Sequence, residues 1–234
     1  MTYPPDFIPD YLSKKNYHIR DTHITFDPVP HKYTVNGDTD YISVTTWNHS
    51  HFEKFNSDVV IDKMMNSNNW VNSKYYGKTK DEIKKMWSDN GKEASSAGTK
   101  MHFDIECFYN KLEVKNDSVE FSYFLKFHND FQHLIPYRTE WMVYDTELKL
   151  SGSIDMIYQD KNGNLRIYDW KRSKEIKKNN KWQNSKTECI AHLPDCNFWH
   201  YSLQLNMYKA ILERNYNKRV VEMCLICLHP DNSN

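Results

Sequence analysis

Gly152-Ser153-Ile154-Asp155 and, after a turn, Leu165-Arg166-Ile167-Tyr168-Asp169-Trp170-Lys171 are the stretches that decide how this chain folds. Both alternate as strands do, and side chains two apart on a strand share a face, so Asp169 and Lys171 point the same way. The intervening Asp160-Lys161-Asn162-Gly163-Asn164 carries an Asn-Gly pair, a strong hairpin signal, which places Asp155 on the neighbouring strand. Two carboxylates and an ammonium converging at a strand end can hold a divalent cation and a polarised water, the chemistry of phosphodiester hydrolysis. The plain alternative is a surface ion pair, which is worth little. Against it, Asp169 lies between Ile167-Tyr168 and Trp170, where an unpaired carboxylate is costly.

On the N-terminal side, residues 22–46 read as a hairpin. Thr22 to Phe26 and Lys32 to Val35 alternate, Asn36-Gly37 signals a turn, and Tyr41 to Thr46 follow as a strand. Residues 50–93 look helical, with Val59, Ile61, Met64 and Met65 apolar and a polar break at Asn66 to Asn69. Ser95-Ser96-Ala97-Gly98-Thr99 introduces a helix carrying Met101, Ile105, Phe108 and Leu112. Further elements are expected as a helix over Val119 to Leu134, strands over Thr139 to Tyr144, Leu148 to Gln159 and Leu165 to Lys171, a helix over Trp199 to Tyr216, and a closing strand over Val220 to Leu228. That order predicts a single α/β (α+β) domain over 1–234 with a mixed central β-sheet flanked by helices. Its parts are an N-terminal hairpin and helical region, 1–93, and a catalytic core, 94–234. The chain is expected to be cut short soon after Leu228-His229-Pro230.

Composition narrows the classes. With 234 residues, 15% aromatic, and only 6 glycines and 8 prolines, the chain can bury a sizeable core and is not fibrous. A formal net charge of zero supplies no global field for polyanions, so nucleic-acid binding must rest on local patches. Met1 to Asp10 holds Pro4, Pro5 and Pro9 without an apolar run, unlike a signal peptide. No stretch approaches the roughly 20 apolar residues of a membrane span. Five cysteines, an odd number, fit a reducing compartment. The Cys224/Cys227 pair lies within an apolar strand-like run, where the sulfurs would face opposite sides. The reading is of a soluble, intracellular monomer that keeps clear of membranes, with no signal separating cytoplasm, nucleus, organelle or viral replication site.

Four further features attach to the two strands. His102 follows Gly98-Thr99 on a helix, with Glu106 one turn later; such a pair can ligate a metal, although a lone helical His is more often structural. Glu140 lies on the preceding strand. Gln204 and Tyr208 are one turn apart on the late helix, where packing alone would explain them. Lys171 to Trp182 is lysine-rich and supplies local positive charge. Nearby Trp182, Phe198, Trp199 and Tyr201 can stack unpaired bases, with core packing the plainer use.

In order, Gly98-Thr99-x-x-His102, Glu140, Gly152-x-Ile154-Asp155, Asp169-x-Lys171 and Gln204-x-x-x-Tyr208 resemble the RecB-like branch of the PD-(D/E)XK nuclease superfamily. Within it, the mitochondrial genome-maintenance exonuclease type and viral or phage relatives are the most similar. His31-Lys32-Tyr33, Tyr41-x-Ser43-Val44-Thr45 and Leu228-His229-Pro230 fit as well. The nominal proline is replaced by Ile154, which leaves the acid in place. Cys107 follows the motif histidine inside its helix, unlike the flanking cysteines of iron–sulfur members, so no iron–sulfur cluster is expected.

The resemblance implies a restriction-endonuclease-like core and Mg²⁺ or Mn²⁺ held by His102, Asp155, Asp169 and the backbone carbonyl of Trp170. Oxygen ligands suit these cations, and a single imidazole favours Mn²⁺. Lys171 would orient the attacking water or stabilise developing charge, with Glu140 as a supporting or second-metal carboxylate. Gln204 and Tyr208 would position the DNA backbone or the lysine. Ser43 and Thr45 are candidate phosphate contacts, and Arg172, Lys174, Lys177 and Lys178 candidate backbone contacts. The expected activity is a metal-dependent deoxyribonuclease, an exonuclease on DNA ends or single strands in replication, repair or recombination, partnered by DNA and replication or recombination proteins. Two alternatives stand beside it: an RNA endonuclease of the viral cap-cleaving kind, which uses a similar His, Asp, acid and Lys set, and a catalytically silent nucleic-acid-binding module. An Asn-, Lys- and Tyr-rich composition suits an AT-rich, viral genome.

Overall fold

A computed structural model describes residues 7–232; the reading of Met1 to Asp10 falls largely outside them, as does the chain end at Asn234. A short helix, α1 (Tyr11–Lys15), and a 3₁₀ turn (Ile19–His23) lead into an antiparallel hairpin of β1 (Ile24–Asp27) and β2 (Lys32–Val35). Asn36-Gly37 lies beyond this hairpin. Both residues have positive φ, 52° and 80°, and they bend Val35 back onto Asp38. The strand expected over Tyr41 to Thr46 is cut to β3 (Ile42–Ser43), because the Ser43 hydroxyl accepts from Thr46 N and starts α2 (Val44–Ser50).

After α3 (Ser57–Met65) and a 3₁₀ turn (Trp70–Asn72) comes α4 (Lys80–Tyr109), 30 residues long. The helix expected to begin after Ser95 to Thr99 therefore starts some fifteen residues earlier and passes unbroken through residues 93 and 94. Its N-terminus is set by a reciprocal cap, in which the Thr79 side chain accepts from Glu82 N and the Glu82 side chain from Thr79 N. Interior serines and glycines cost up to about 1 kcal/mol each and do not end a helix capped elsewhere. Leu112 lies past the helix end, where Lys111 turns the backbone at φ 64°. The remaining elements are α5 (Val119–Asp130), which stops short of Leu134, then β4 (Ile135–Asp145), β5 (Leu150–Gln159), β6 (Leu165–Lys171), α6 (Asn197–Asn215) and β7 (Val220–Cys227). No helix among the described residues is long and apolar enough to cross a membrane.

The main sheet is mixed: β4 and β6 flank β5 antiparallel, and β7 runs parallel to β6. On the edge of β5 away from β4, β3 pairs with Leu150 and Ser151, and β6 pairs with Met156 to Gln159. Among the described residues no strand pairs with 152–155 on that edge, so the sheet forks there. Val44, Leu205, Tyr208, Ile211 and Leu212 from α2 and α6 cover one face, against Trp141, Val143, Ile154, Ile157 and Ile167. Met101, Ile105, Tyr109, Phe121 and Phe124 from α4 and α5 cover the other, against Met156, Tyr158, Tyr168 and Trp170. Each large apolar side chain so buried contributes about 1.5–3 kcal/mol.

The facing of two strands reverses at the fork. Residues two apart on a regular strand share a face, yet Ile154 packs towards α6 and Met156 towards α4. On β4, Trp141 joins the α6 face, whereas Thr139, two residues before it, accepts a hydrogen bond from Asn110 at the end of α4.

 Thr139 is the residue paired with Met156, so the two strands change face together. The switch falls at Glu140 and Asp155, and Glu140 has φ 41°, in the left-handed region that side chains other than glycine rarely adopt. Both carboxylates are thereby turned towards α4.

Candidate active site

Three elements bring their side chains together at the fork. α4 supplies His102, β4 supplies Glu140 and β5 supplies Asp155. One ligand atom from each lies within 4.8 Å of the others. His102 Nδ1 is 3.5 Å from Asp155 Oδ2 and 3.7 Å from Glu140 Oε1. On its other side, His102 Nε2 lies 2.9 Å from the carbonyl oxygen of Trp170. A carbonyl only accepts, so Nε2 carries a proton and Nδ1 is the atom offered to the two acids. Ser153 Oγ donates to Glu140 Oε2 at 2.7 Å and fixes that carboxylate. Asp155 Oδ2 accepts from Trp170 N at 3.0 Å, so a side chain takes the backbone donor that β5 gives up where the strands part.

Asp169 and Lys171 share the opposite side of β6, as their spacing predicts. Asp169 is 3% exposed, and Lys171 Nζ lies 2.7 Å from its Oδ2, an ion contact off the hydrogen-bond directions. This is a buried pair, unlike the exposed one that the sequence allowed. The ammonium also sits over the Tyr201 ring, 4.8 Å from its centroid.

The charges are strongly coupled. Burial raises the Asp155 carboxyl, opposed by His102 and Lys171. Burial, then the Asp155 charge, pushes Asp169 up to about 7, against the pull of Lys171. Burial disfavours the charged forms of His102 and Lys171, but the neighbouring acids outweigh it. Asp155 and then Glu140 raise His102 to about 9, and Asp169 and then Asp155 raise Lys171. Glu106 is lifted to about 8 by burial and by Glu140. Clustered opposing groups with displaced pKa values mark functional sites.

An imidazole and two carboxylates are a donor set that fits a divalent cation of the Mg²⁺ or Mn²⁺ kind. The close group contains Glu140, whereas Asp169 is engaged by Lys171 and the Trp170 carbonyl by His102. A cavity of about 380 Å³, lined by Gly98, Thr99, His102, Phe103, Glu106 and Glu140, opens onto this group.

The nucleic-acid candidates divide. Gln204 Nε2 donates to Thr45 Oγ1 at 3.1 Å and, at a longer 3.5 Å, to Tyr208 OH, which links α6 to α2 beside Lys171. Tyr208 is 3% exposed and lies over Gly152, where an added Cβ would come within 2.8 Å of its ring and hydroxyl. Ser43 is committed to capping α2. Arg172 is held by Glu120 at 2.6 Å, with both side chains largely buried. Lys174 pairs with Asp231, Lys177 lies 3.8 Å from Glu175, and Lys178 lies over the Phe198 ring. The basic run is thus substantially answered by its own surroundings. Trp182 is 90% exposed, whereas Phe198 and Trp199 pack edge to face. All five cysteines are free.

Sequence reasoning gave Ser153 no role, and Asn48, His49 and His200 escaped it altogether; all three line a cavity beside Lys171. No spacing rule could have found them, because their meeting depends on how α2 crosses α6. A family model of the PD-(D/E)XK nuclease superfamily matches residues 68–233, the span that carries His102 to Tyr208. None of the curated proteins matches the chain.

Proposed function

Because the chain belongs to the PD-(D/E)XK nuclease superfamily, we propose that it is a divalent-metal-dependent deoxyribonuclease of the RecB-like branch. Its reading is that of an exonuclease acting on DNA ends or single strands in replication, repair or recombination. The observation that carries the enzymatic part is the convergence of His102, Glu140 and Asp155 beside the buried Asp169–Lys171 pair. The RecB-like assignment is supported by a helix-borne His102 at that convergence, and by α6, whose Gln204 lines a cavity with Lys171 and whose Tyr208 lies over Gly152.

His102 Nδ1, Glu140 and Asp155 would hold the ion, with Asp169 near at hand. Bound there, a divalent cation supplies electrophilic stabilisation of a phosphate and acidifies a water. The chain's own groups do the rest. Trp170 O holds His102 in the orientation that offers Nδ1, and Ser153 holds Glu140. Lys171, raised in pKa by its acids, stays an ammonium at neutral pH. It is therefore a donor and not a base: it orients the attacking water and stabilises negative charge as it grows on the phosphoryl oxygens. Gln204 and Tyr208 steady the wall beside it. The imidazole among the donors favours Mn²⁺ over Mg²⁺.

The substrate is tested with 5′- and 3′-labelled single- and double-stranded DNA, matched RNA and a closed circle, each with Mn²⁺. Progressive loss of end label from linear DNA, with the circle intact, is the expected result. Cleavage of RNA alone would replace the reading with the RNA endonuclease, and binding without cleavage of any substrate would leave a nucleic-acid-binding module.

A further inference from the structure

On the side of Lys171 away from His102, the surface opens into a cavity of about 330 Å³ whose walls include Thr45, Asn48, His49, His200 and Gln204. His49 and His200 also line a second cavity of about 570 Å³, bounded by Phe52, Lys54, Phe55 and Lys186. Sharing those two histidines as walls, the cavities adjoin, and together they line a cleft between Lys171 and the end of α2.

Its chemistry is consistent along its length. Lys54 and Lys186 form no ion pair among the described residues, and Glu53 is the acid beside them. On the other flank of the site Arg172, Lys174 and Lys177 all have carboxylates at hand. Phe55 is 73% exposed, its ring centroid 5.9 Å from that of Trp87, while Phe52 is buried and stacked on His200 at 3.9 Å. Asn48 gives its amide N–H to His200 O at 2.8 Å, but its buried Oδ1 has no partner among the described residues, an unmet acceptor of the kind a ligand N–H satisfies.

We infer that this cleft takes the unpaired stretch of nucleic-acid strand adjoining the scissile phosphate, with backbone phosphates at Lys54 and Lys186 and a base on the Phe55 ring. The inference rests on the nuclease reading for the place of cleavage, at Lys171. A strand is required rather than a duplex, because paired and stacked bases offer no free face to a side-chain ring.

The test is fluorescence anisotropy of labelled oligothymidylate, oligouridylate and a matched DNA duplex in EDTA, across a salt series. The proteins are wild type, Lys54→Gln/Lys186→Gln, Phe55→Ala and Trp182→Ala. The double variant is expected to bind the single strand more weakly and to lower the salt slope by about 1.4, at about 0.7 per phosphate contact. Phe55→Ala is expected to weaken single-strand binding at least about fivefold, with duplex binding little changed. The two single-stranded probes tell DNA from RNA. Unchanged affinity and slope in the cleft variants, or a loss confined to Trp182→Ala, would overturn the inference. Cleavage by the same proteins separates the two readings. A wild type that binds through the cleft yet cuts nothing refutes the nuclease and keeps the cleft. A wild type that cuts, with cleft variants that bind and cut normally, refutes the cleft alone.

Discussion

His102 Nε2 donates to the carbonyl oxygen of Trp170 at 2.9 Å, and this contact points Nδ1 at Asp155 and Glu140. The carbonyl that the resemblance offers to the metal here orients an imidazole offered to the same ion, a task that partners of metal-binding histidines commonly perform.

If His102 and Glu140 are donors, the groups that hold them affect the metal. Ser153→Ala frees Glu140 from its 2.7 Å hydrogen bond, and calorimetry is expected to show Mn²⁺ binding weakened about tenfold. His102→Ala is expected to reduce binding below detection. Wild-type affinity in both variants would remove these residues from the ion's surroundings.

Glu140 holds a left-handed backbone, φ 41°, which costs a residue with a Cβ about 1–2 kcal/mol and glycine little. Thermal unfolding is expected to find Glu140→Gly at least as stable as Glu140→Ala, the reverse of the usual order in a strand, with Mn²⁺ binding lost in both. A clear advantage for alanine would mean that the backbone there is unstrained.

Gly152 lies under Tyr208 with no room for a Cβ, the nearest ring and hydroxyl atoms being 2.8 Å away. Gly152→Ala is expected to destabilise by about 1–3 kcal/mol through overpacking, read from chemical denaturation, and to slow cleavage by moving Tyr208 and Gln204. An unchanged midpoint would show that Tyr208 has freedom to yield.

In the metal-free protein Asp169 is raised from 3.8 to about 7 and His102 from 6.5 to about 9. A folded pKa above the unfolded value means that the folded state binds protons more tightly. These two contributions are therefore complete below the unfolded values and fade as pH climbs, Asp169 through about 7 and His102 through about 9. Cation binding displaces those protons, so it strengthens as pH rises. Differential scanning fluorimetry is expected to show a larger Mn²⁺-induced rise in Tm at pH about 8.5 than at about 5.5. An equal rise at both would separate cation binding from these groups.

Much of this arrangement was legible beforehand. The hairpin of Asp155, Asp169 and Lys171, the late helix with Gln204 and Tyr208, and the mixed sheet between helices follow from alternation, an Asn-Gly signal and helical spacing. What escaped had physical reasons. Ser95 to Thr99 resembles a helix start, but the Thr79–Glu82 cap lies well before it. Tyr41 to Thr46 alternates like a strand, but Ser43 can also cap. Strict alternation would set Asp155 on the face of Ile157, and only the reversal at Glu140 turns it to His102. That reversal has no sequence signature, since nothing in a glutamate announces a left-handed backbone. The lysine run after Lys171 has the composition of a phosphate track, but a linear sequence cannot reveal that Glu120, Asp231 and Glu175 lie close to it.

The most direct measurement is the rate of phosphodiester cleavage of labelled single-stranded DNA, with Mn²⁺ and with EDTA, by wild type, Asp155→Asn and Lys171→Ala. Binding of the same DNA is followed in parallel. A metal-dependent nuclease centred on these residues cleaves only with the cation, and each substitution slows it by at least about a hundredfold while DNA binding persists. Cleavage that survives EDTA, or that proceeds undiminished in both variants, would contradict it.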